Sequence, residues 1–127
     1  MSPVRMERLE AGVRTLIAFT EAFNHRDLPG MLALVNESCV FEDSTPAPDG
    51  KRLVGKPALA QYYQELFARL PQSHLKIEES FGFGYHCILL WRHDWDEPDG
   101  RQAHLRGVDI CRVQDGLIHE RLSYTKG

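Results

Sequence analysis

Several side chains able to exchange protons stand at positions where a fold could direct them toward a bound molecule. The segment CVFED runs through an apolar stretch to two acids, and its second acid, Asp43, precedes the turn-rich segment STPAPDG. An Asp before Ser-Thr-Pro readily closes a turn with its own side chain. A carboxylate at the end of a strand can instead face a pocket and act as a general base. The sequence pattern leaves both interpretations of Asp43 open.

A second group of polar side chains is predicted to share one face of a sheet. If residues 98–100 form a three-residue hairpin loop, residues 89 and 109 lie opposite each other, and alternation puts Trp91 and His93 on the same face as Leu105 and Asp109. A dry core does not tolerate this mixture easily, because unpaired buried charges are costly. We therefore expect this face to line a half-polar cavity.

The last hairpin extends this face to a further strand. With an unbulged ladder around QDG, Arg121 lies opposite Asp109 and His119 lies opposite Cys111. Asp109 then has two interpretations: a catalytic acid, or one half of a buried ion pair with Arg121 that holds two strands together. His93 is interpreted either as a histidine satisfied within the sheet or as a proton shuttle.

Composition excludes several classes of partner. The net charge is -3 and no run of Lys or Arg occurs, so we expect neither a nucleic acid nor a membrane as partner. The segment MSPVRMERLEAG carries acids where a signal peptide is apolar, which favours a cytoplasmic protein. The three cysteines show no C-x-x-C pattern and the six histidines no H-x-x-x-H pattern. We therefore predict reduced core cysteines and no metal site.

The elements that must position these residues are predicted to be helices first and strands afterwards. Apolar residues at helical spacing indicate a first helix, Asp27 and Pro29 begin a short second one, and GKPALAQYYQELFARL forms a third. A short strand at VFED and four long strands from residue 75 onward complete an α+β fold with a curved sheet. The apolar face of the first helix comprises Leu9, Val13, Leu16, Phe19 and Phe23.

The succession of three segments resembles a known family. FTEAFNHRDLPGMLALVNESCVFED, LVGKPALAQYYQELF and LRGVDICRVQDGLIHERLSY are together similar to the nuclear transport factor 2-like superfamily, in its SnoaL-like polyketide cyclase and ketosteroid isomerase branch. The resemblance covers nearly the whole chain and implies a single domain over residues 1–127. It implies a cone of three N-terminal helices packed on a strongly bent antiparallel or mixed sheet that encloses a pocket. It also implies a homodimer formed through the outer face of the sheet.

The resemblance implies roles for individual residues. Asp43 matches the general base of ketosteroid isomerase and Asp109 its protonated oxyanion-hole Asp, whereas Phe19 stands where that enzyme has the oxyanion-hole Tyr. Tyr63 matches a supporting Tyr, and in the SnoaL-like cyclases Asp109 with His93 would be the acid and base. The predicted substrate-binding residues are Phe19, Phe41, Tyr62, Tyr63, Trp91, Leu105, His119 and Arg121.

These features predict a small-molecule enzyme of the isomerase or cyclase type, which would transfer protons without a cofactor. Its ligand would be a small hydrophobic or carbonyl-containing compound in an apolar pocket. One alternative is a non-catalytic ligand-binding or dimerisation domain of the same fold, which fold class alone does not distinguish. Another is an epoxide hydrolase-like enzyme with an Asp-Arg-Asp site, although Ser123 stands at the position of one of those acids.

Overall fold

Three helices and six strands make up the part of the chain that the structure describes. The structure is a computed structural model that describes residues 3–126, with side chains described from residue 10 onward; the predicted place of Leu9 on the helix face lies outside those side chains. The predicted α+β architecture is confirmed. The elements are α1 (Pro3–Asn24), α2 (Leu28–Leu32), β1 (Val35–Glu42), β2 (Arg52–Val54), α3 (Lys56–Arg69), β3 (Ser73–Phe83), β4 (His86–Asp96), β5 (Gln102–Gln114) and β6 (Leu117–Thr125).

The strands form one mixed sheet in the order β2-β1-β6-β5-β4-β3. β1 runs parallel to β6, and every other neighbouring pair is antiparallel. The hairpin predicted at QDG is confirmed: Asp115 and Gly116 form a two-residue loop with φ values of 55° and 75°. Positive φ at both positions is what a tight hairpin of this kind requires. β6 is thereby placed between β5 and β1, at the centre of the sheet.

The predicted register is correct for one hairpin and wrong for the next. Trp91 lies opposite Gly107 and His93 opposite Leu105, as expected. Across β5 and β6, however, the residue opposite Asp109 is Ser123, and Arg121 lies opposite Cys111. The prediction assumed a three-residue loop and an unbulged ladder, whereas the loop has two residues and a bulge follows.

The bulge lies at His119. Arg112 pairs with Glu120 and Val113 pairs with Ile118, so that His119 is the extra residue on β6. A bulge of this kind shifts the register of every later residue by one position. Together with the shorter loop, it moves Arg121 two residues along β5 but leaves it on the same face as Asp109.

The core lies between the helices and the inner face of the sheet. Leu16, Phe19 and Phe23 of α1 are buried, which confirms the predicted apolar face over these residues. They pack with inward-facing sheet residues such as Leu89. The three cysteines, predicted to be reduced core residues, are buried and unpaired. Within residues 3–126, no helix is both long enough and apolar enough to cross a membrane.

The Arg26 side chain links three elements of the fold by hydrogen bonds at one end of the molecule. It follows α1 with a φ of 58° and donates from Nη1 to the carbonyl oxygen of Phe23 at 3.0 Å. Its Nη2 donates to the carbonyl oxygens of Leu70 at 3.1 Å and Pro71 at 3.3 Å, and to Ser73 Oγ at 2.8 Å. Because Leu70 follows α3 and Ser73 begins β3, one guanidinium fixes the end of α1 against both elements.

Candidate functional site

A cavity of about 120 Å³ lies between the helices and the inner face of the sheet. Its apolar wall comes from α1, α3 and four strands, and its polar groups come from the ends of β1, β4 and β6. Most lining side chains are aromatic or aliphatic, so the polar groups of the cavity lie beside an apolar wall. The lining residues are Phe23, Phe41, Glu42, Asp43, Leu53, Tyr62, Tyr63, Leu66, Leu75, Trp91, His93, Arg121 and Ser123.

Asp43 lines the cavity and also closes a local turn. Its Oδ2 accepts a hydrogen bond from the Tyr62 hydroxyl at 2.6 Å, and its Oδ1 accepts one from the Ser44 N–H at 2.8 Å. Its own N–H donates to the carbonyl oxygen of Lys51 at 2.9 Å, which fixes the backbone at the end of β1. The two interpretations left open by the sequence therefore both describe this residue.

The tyrosines at positions 62 and 63 carry their protons at neutral pH. Burial, followed by the hydrogen bond to Asp43, raises the pKa of Tyr62 well above its usual value. Burial raises the pKa of Tyr63 to about 12, against the opposing effect of the nearby Arg121 cation. The Tyr63 hydroxyl makes no hydrogen bond with any residue in the range 10–126. Tyr62 is thus committed to Asp43, while Tyr63 keeps a free donor.

Asp109 is fully buried and lies behind the cavity wall rather than in it. Its Oδ1 accepts hydrogen bonds from Trp91 Nε1 at 2.8 Å and from Ser123 Oγ at 2.6 Å. Its Oδ2 accepts from Arg121 at 2.5 Å. Both oxygens thus accept hydrogen bonds from neighbouring side chains, and one of them contacts the Arg121 cation. The structure therefore shows the ion pair with Arg121, and the expectation that Asp109 lines the cavity beside Asp43 is wrong.

Arg121 presents a cation to the cavity. Its side chain is 11% exposed and its guanidinium lies over the rings of Phe19 and Phe41, at 5.5 and 5.9 Å. Burial by itself lowers the pKa of Arg121, but the Asp109 carboxylate raises it above its usual value. Nε and Nη2 both contact Asp109, whereas Nη1 makes no hydrogen bond with the described residues. One edge of the guanidinium is thus left for a ligand.

Gly107 on β5 leaves the space that the Trp91 ring occupies. A Cβ added at Gly107 would lie 2.5 Å from Trp91 Cζ2 and 2.6 Å from the carbonyl oxygen of Tyr124. Contacts this short do not occur, so a side chain at position 107 would displace the ring. Gly107 thereby allows Trp91 to reach Asp109.

Three predicted substrate-binding residues do not line the cavity. Phe19 is buried beneath it, with its ring 5.9 Å from that of Phe41 and 6.1 Å from that of Tyr63. Leu105 lies opposite His93 at the margin of the core, and His119 is the bulge residue of β6. Phe19 therefore supports the site from below, and the register error explains the misplacement of His119.

Several lining residues were missed by the sequence interpretation. Ser123 lies opposite Asp109 only because the register is shifted by two residues, and no feature of the sequence announces the bulge that contributes to this shift. Leu66 lies on α3 about one turn after Tyr62 and Tyr63, and its apolar side chain gave no signal that it lines a cavity rather than the core. The part of the chain that the structure describes holds no group of three or more His, Cys, Asp or Glu residues that could bind a metal ion.

His93 lines the cavity as a neutral imidazole. Its ring packs edge-on against Phe23 at 5.7 Å and lies 5.3 Å from Trp95. Its Nε2 is buried and has no hydrogen-bond partner among the described residues. Burial, and next the charge of Arg26, lower the pKa of His93 below its usual value.

This lowered pKa makes stability sensitive to acid. Below about pH 6.5 the unfolded chain takes up a proton at His93 that the folded chain resists, so the free energy of unfolding falls as the pH falls. We expect His93→Gln to lose less free energy of unfolding than the wild type between pH 7.5 and pH 5.5. Urea denaturation followed by circular dichroism at both pH values measures this difference, and an equal loss in both proteins would contradict it.

The comparisons with known proteins agree with this architecture. A model of the SnoaL-like domain family matches residues 16–121. An NTF2-like protein of unknown function from Mesorhizobium loti is 35% identical, with 94% of each chain covered and a TM-score of 0.78. Δ5-3-Ketosteroid isomerase from Mycobacterium sp. is 26% identical, covering 90% of this chain and 92% of its own, with a TM-score of 0.75.

An LEH-like epoxide hydrolase from Mycobacterium tuberculosis shares the fold at 17% identity. The comparison covers 93% of this chain and 80% of that one, with a TM-score of 0.79. No protein of curated function matches the chain. Proteins of differing activity thus share this fold, and the site must distinguish between them.

Proposed function

Because the chain belongs to the SnoaL-like domain family, we propose that it is a small-molecule enzyme that moves a proton on carbon next to a carbonyl group. Residues 1–127 would form one such domain, whose three helices and bent sheet make a cone around the cavity. The chemistry would be of the isomerase or cyclase type and would need no cofactor. One observation carries the proposal: Asp43 and Arg121 both line the same cavity, most of whose other residues are aromatic or aliphatic.

Asp43 would be the base. The C–H bond beside the carbonyl breaks, its electron pair forms the enolate double bond, and the proton passes to the Asp43 carboxylate. The carbonyl oxygen takes up the negative charge, which the fixed charge of Arg121 stabilises inside the cavity. In an isomerase Asp43 then returns the proton to a different carbon. The hydrogen bonds from Tyr62 and Ser44 hold the carboxylate in place for both transfers.

Asp109 would be a positioning residue rather than the proton donor. Its contacts with Trp91, Ser123 and Arg121 orient three side chains of the cavity wall. Its negative charge also compensates the positive charge of Arg121. A buried cation that had no such partner would be costly. His93 would contact the ligand as a neutral group. The proposed proton transfer does not use this residue.

The alternatives have less support from the site. A hydrolase with an Asp-Arg-Asp arrangement needs an acid where this chain has Ser123, and that hydroxyl instead donates to Asp109. A non-catalytic ligand-binding domain has no need of both a carboxylate and a cation in the wall of one cavity, and it would bind ligands without exchanging their protons. The three buried free cysteines fit a reducing compartment such as the cytoplasm.

Exchange of carbon-bound protons tests the proposal directly. A panel of enolisable ketones with one to four rings is incubated with the protein in D₂O, and deuterium uptake beside the carbonyl is followed by NMR. The proposal expects uptake well above the buffer rate for at least one member of the panel. Binding without any uptake would support the non-catalytic alternative.

We further propose that the chain forms a homodimer through the face of the sheet turned away from the helices. Cross-strand pairs there bring apolar side chains together on β4, β5 and β6, and Tyr124 is 55% exposed. A continuous apolar surface of this kind is typical of an interface. The patch comprises Ile88, Leu90, Val108, Ile110, Leu122 and Tyr124.

A charge in the middle of this patch is expected to separate the protomers. Ile110 pairs with both Ile88 and Leu122, so Ile110→Glu puts a carboxylate at the centre of the surface. Light scattering after size exclusion should give a dimer mass for the wild type and a monomer mass for this variant. Gln61→Glu, on the exposed side of α3, is the control and should stay dimeric. A monomeric wild type at micromolar concentration would contradict the proposal.

A further inference from the structure

The volume of the cavity limits how much of a ligand can be buried. It is about 120 Å³, slightly below the roughly 150 Å³ of an apolar cavity that holds one benzene molecule. The wall is built from packed aromatic and aliphatic side chains such as Phe23, Leu66 and Trp91. Enlarging it would require close-packed neighbours to move, which costs free energy. The cavity therefore buries at most about one ring, and a fused four-ring nucleus would have to lie largely outside it.

Two hydrogen-bond donors on one wall have no partner in the protein. They are the Tyr63 hydroxyl and Arg121 Nη1, neither of which bonds to a described residue. The two groups are neighbours, since the Arg121 charge acts on the pKa of Tyr63 and both side chains contact the Phe19 ring. Such donors, left free in an apolar cavity, are arranged for an oxygen that the ligand supplies.

Both donors belong to side chains that pack against the ring of Phe19. The Phe19 ring lies 6.1 Å from the Tyr63 ring and 5.5 Å from the Arg121 guanidinium. The Tyr63 phenol and the Arg121 cation therefore both lie next to the Phe19 ring, which itself offers no hydrogen bond. Fixed donors at a developing oxyanion are the largest single source of stabilisation in many enolising enzymes.

We propose that the ligand is a carbonyl compound whose buried part is a single ring, and that its oxygen accepts hydrogen bonds from Tyr63 and from Arg121 Nη1. This inference rests on the proposed function, because it takes the same cavity as the site of proton transfer. Asp43 faces the ring from the end of β1, so a proton beside the carbonyl lies between the base and the two donors. When that proton moves to Asp43, the negative charge moves to the oxygen, and the net charge of the cavity is unchanged.

Ligand size is tested by binding alone, so that the result does not depend on turnover. Cyclohex-2-en-1-one, 1-tetralone and a four-ring steroid enone are titrated into the ¹⁵N-labelled protein, and Kd is taken from NMR shifts, including that of Trp91 Nε1–H. The one-ring ketone should bind at least about tenfold more tightly than the two-ring ketone, because the second ring overfills the cavity. Leu66→Ala should reduce this ratio to about threefold or less by enlarging the cavity. Leu32→Ala makes the same truncation outside the cavity and should leave the ratio unchanged.

The position of the oxygen is tested with ¹³C at the carbonyl of cyclohex-2-en-1-one. Hydrogen bonds from a phenol and a cation polarise the carbonyl, so the bound resonance should move downfield of the free one. Tyr63→Phe, which removes only the hydroxyl, should reduce this displacement and weaken binding roughly three- to tenfold. Tyr85→Phe makes the same change in the loop between β3 and β4, away from the cavity, and should change neither value.

Three results would overturn the inference. They are tightest binding of the steroid enone by the wild type, no binding of any ketone, and an unchanged carbonyl resonance in Tyr63→Phe. Failure of the proposed function has a different signature, in which one-ring ketones bind with the expected size dependence but exchange no protons. If only multi-ring ketones exchange protons, the proposed function stands and the single-ring inference fails.

Discussion

Replacement of Asp43 by Asn is expected to lower the rate of proton exchange by about 10²–10⁴-fold, the usual contribution of a positioned general base. Asn has nearly the same shape, and its amide oxygen can still accept a hydrogen bond from Tyr62 or from the Ser44 N–H. It cannot take up a proton from carbon, so the chemical step loses its base while the cavity keeps its form. Deuterium uptake by a one-ring β,γ-unsaturated ketone, together with its conversion to the conjugated isomer, measures the loss.

The controls for this variant separate chemistry from folding. Asp49→Asn removes a carboxylate from the exposed loop that follows Asp43 and should leave the rate unchanged. The Kd of the ketone for Asp43→Asn should stay within a few-fold of the wild-type value, because the apolar wall is intact. A rate for Asp43→Asn within twofold of wild type would show that another group takes the proton.

The second large effect concerns stability. Asp109→Asn is expected to reduce the free energy of unfolding by about 3–5 kcal/mol, the usual cost of removing one partner from a buried ion pair. The Asn oxygen can still accept from Trp91 and Ser123, but its amide group faces Arg121 and leaves that cation without a counter-charge. Urea denaturation followed by circular dichroism gives the difference.

A double-mutant cycle tests whether the ion pair causes this loss. Asp109→Asn combined with Arg121→Met removes both charges and should recover much of the stability, since the remaining groups are apolar or satisfied. The exposed pair of Asp94 and Arg92, whose side chains are 45% and 40% exposed, is the matched control. Asp94→Asn should cost less than about 1 kcal/mol. Equal losses at positions 94 and 109 would refute the role assigned to burial.

The parts of the fold that depend on neighbouring residues could be predicted from local signals in the sequence. The period of α1, the cap at Asp27 and the Asp-Gly loop at residues 115–116 each act within a few residues, and the structure contains all three. The register of β4 and β5 followed from loop length alone. Asp43 could be found because it ends a short apolar run just before a turn.

The arrangement around Asp109 could not be predicted from such local signals. A bulge at His119 changes which residue faces Asp109, yet the period of two that marks a strand continues through β6 without announcing it. Whether Asp109 lines the cavity or stands behind it depends on how Trp91 packs, and that depends on the space left by Gly107 on another strand. Interactions between residues far apart in the chain decided both points.

The contacts of Arg26 have a consequence for how this corner of the molecule tolerates genetic change. The acceptors that it finds at Leu70 and Pro71 are main-chain carbonyls, which every amino acid supplies. Mutations at these two positions therefore leave the acceptors in place, whereas no other amino acid at position 26 places a terminal guanidinium nitrogen against them. Substitution is therefore expected to be tolerated better at Leu70 and Pro71 than at Arg26.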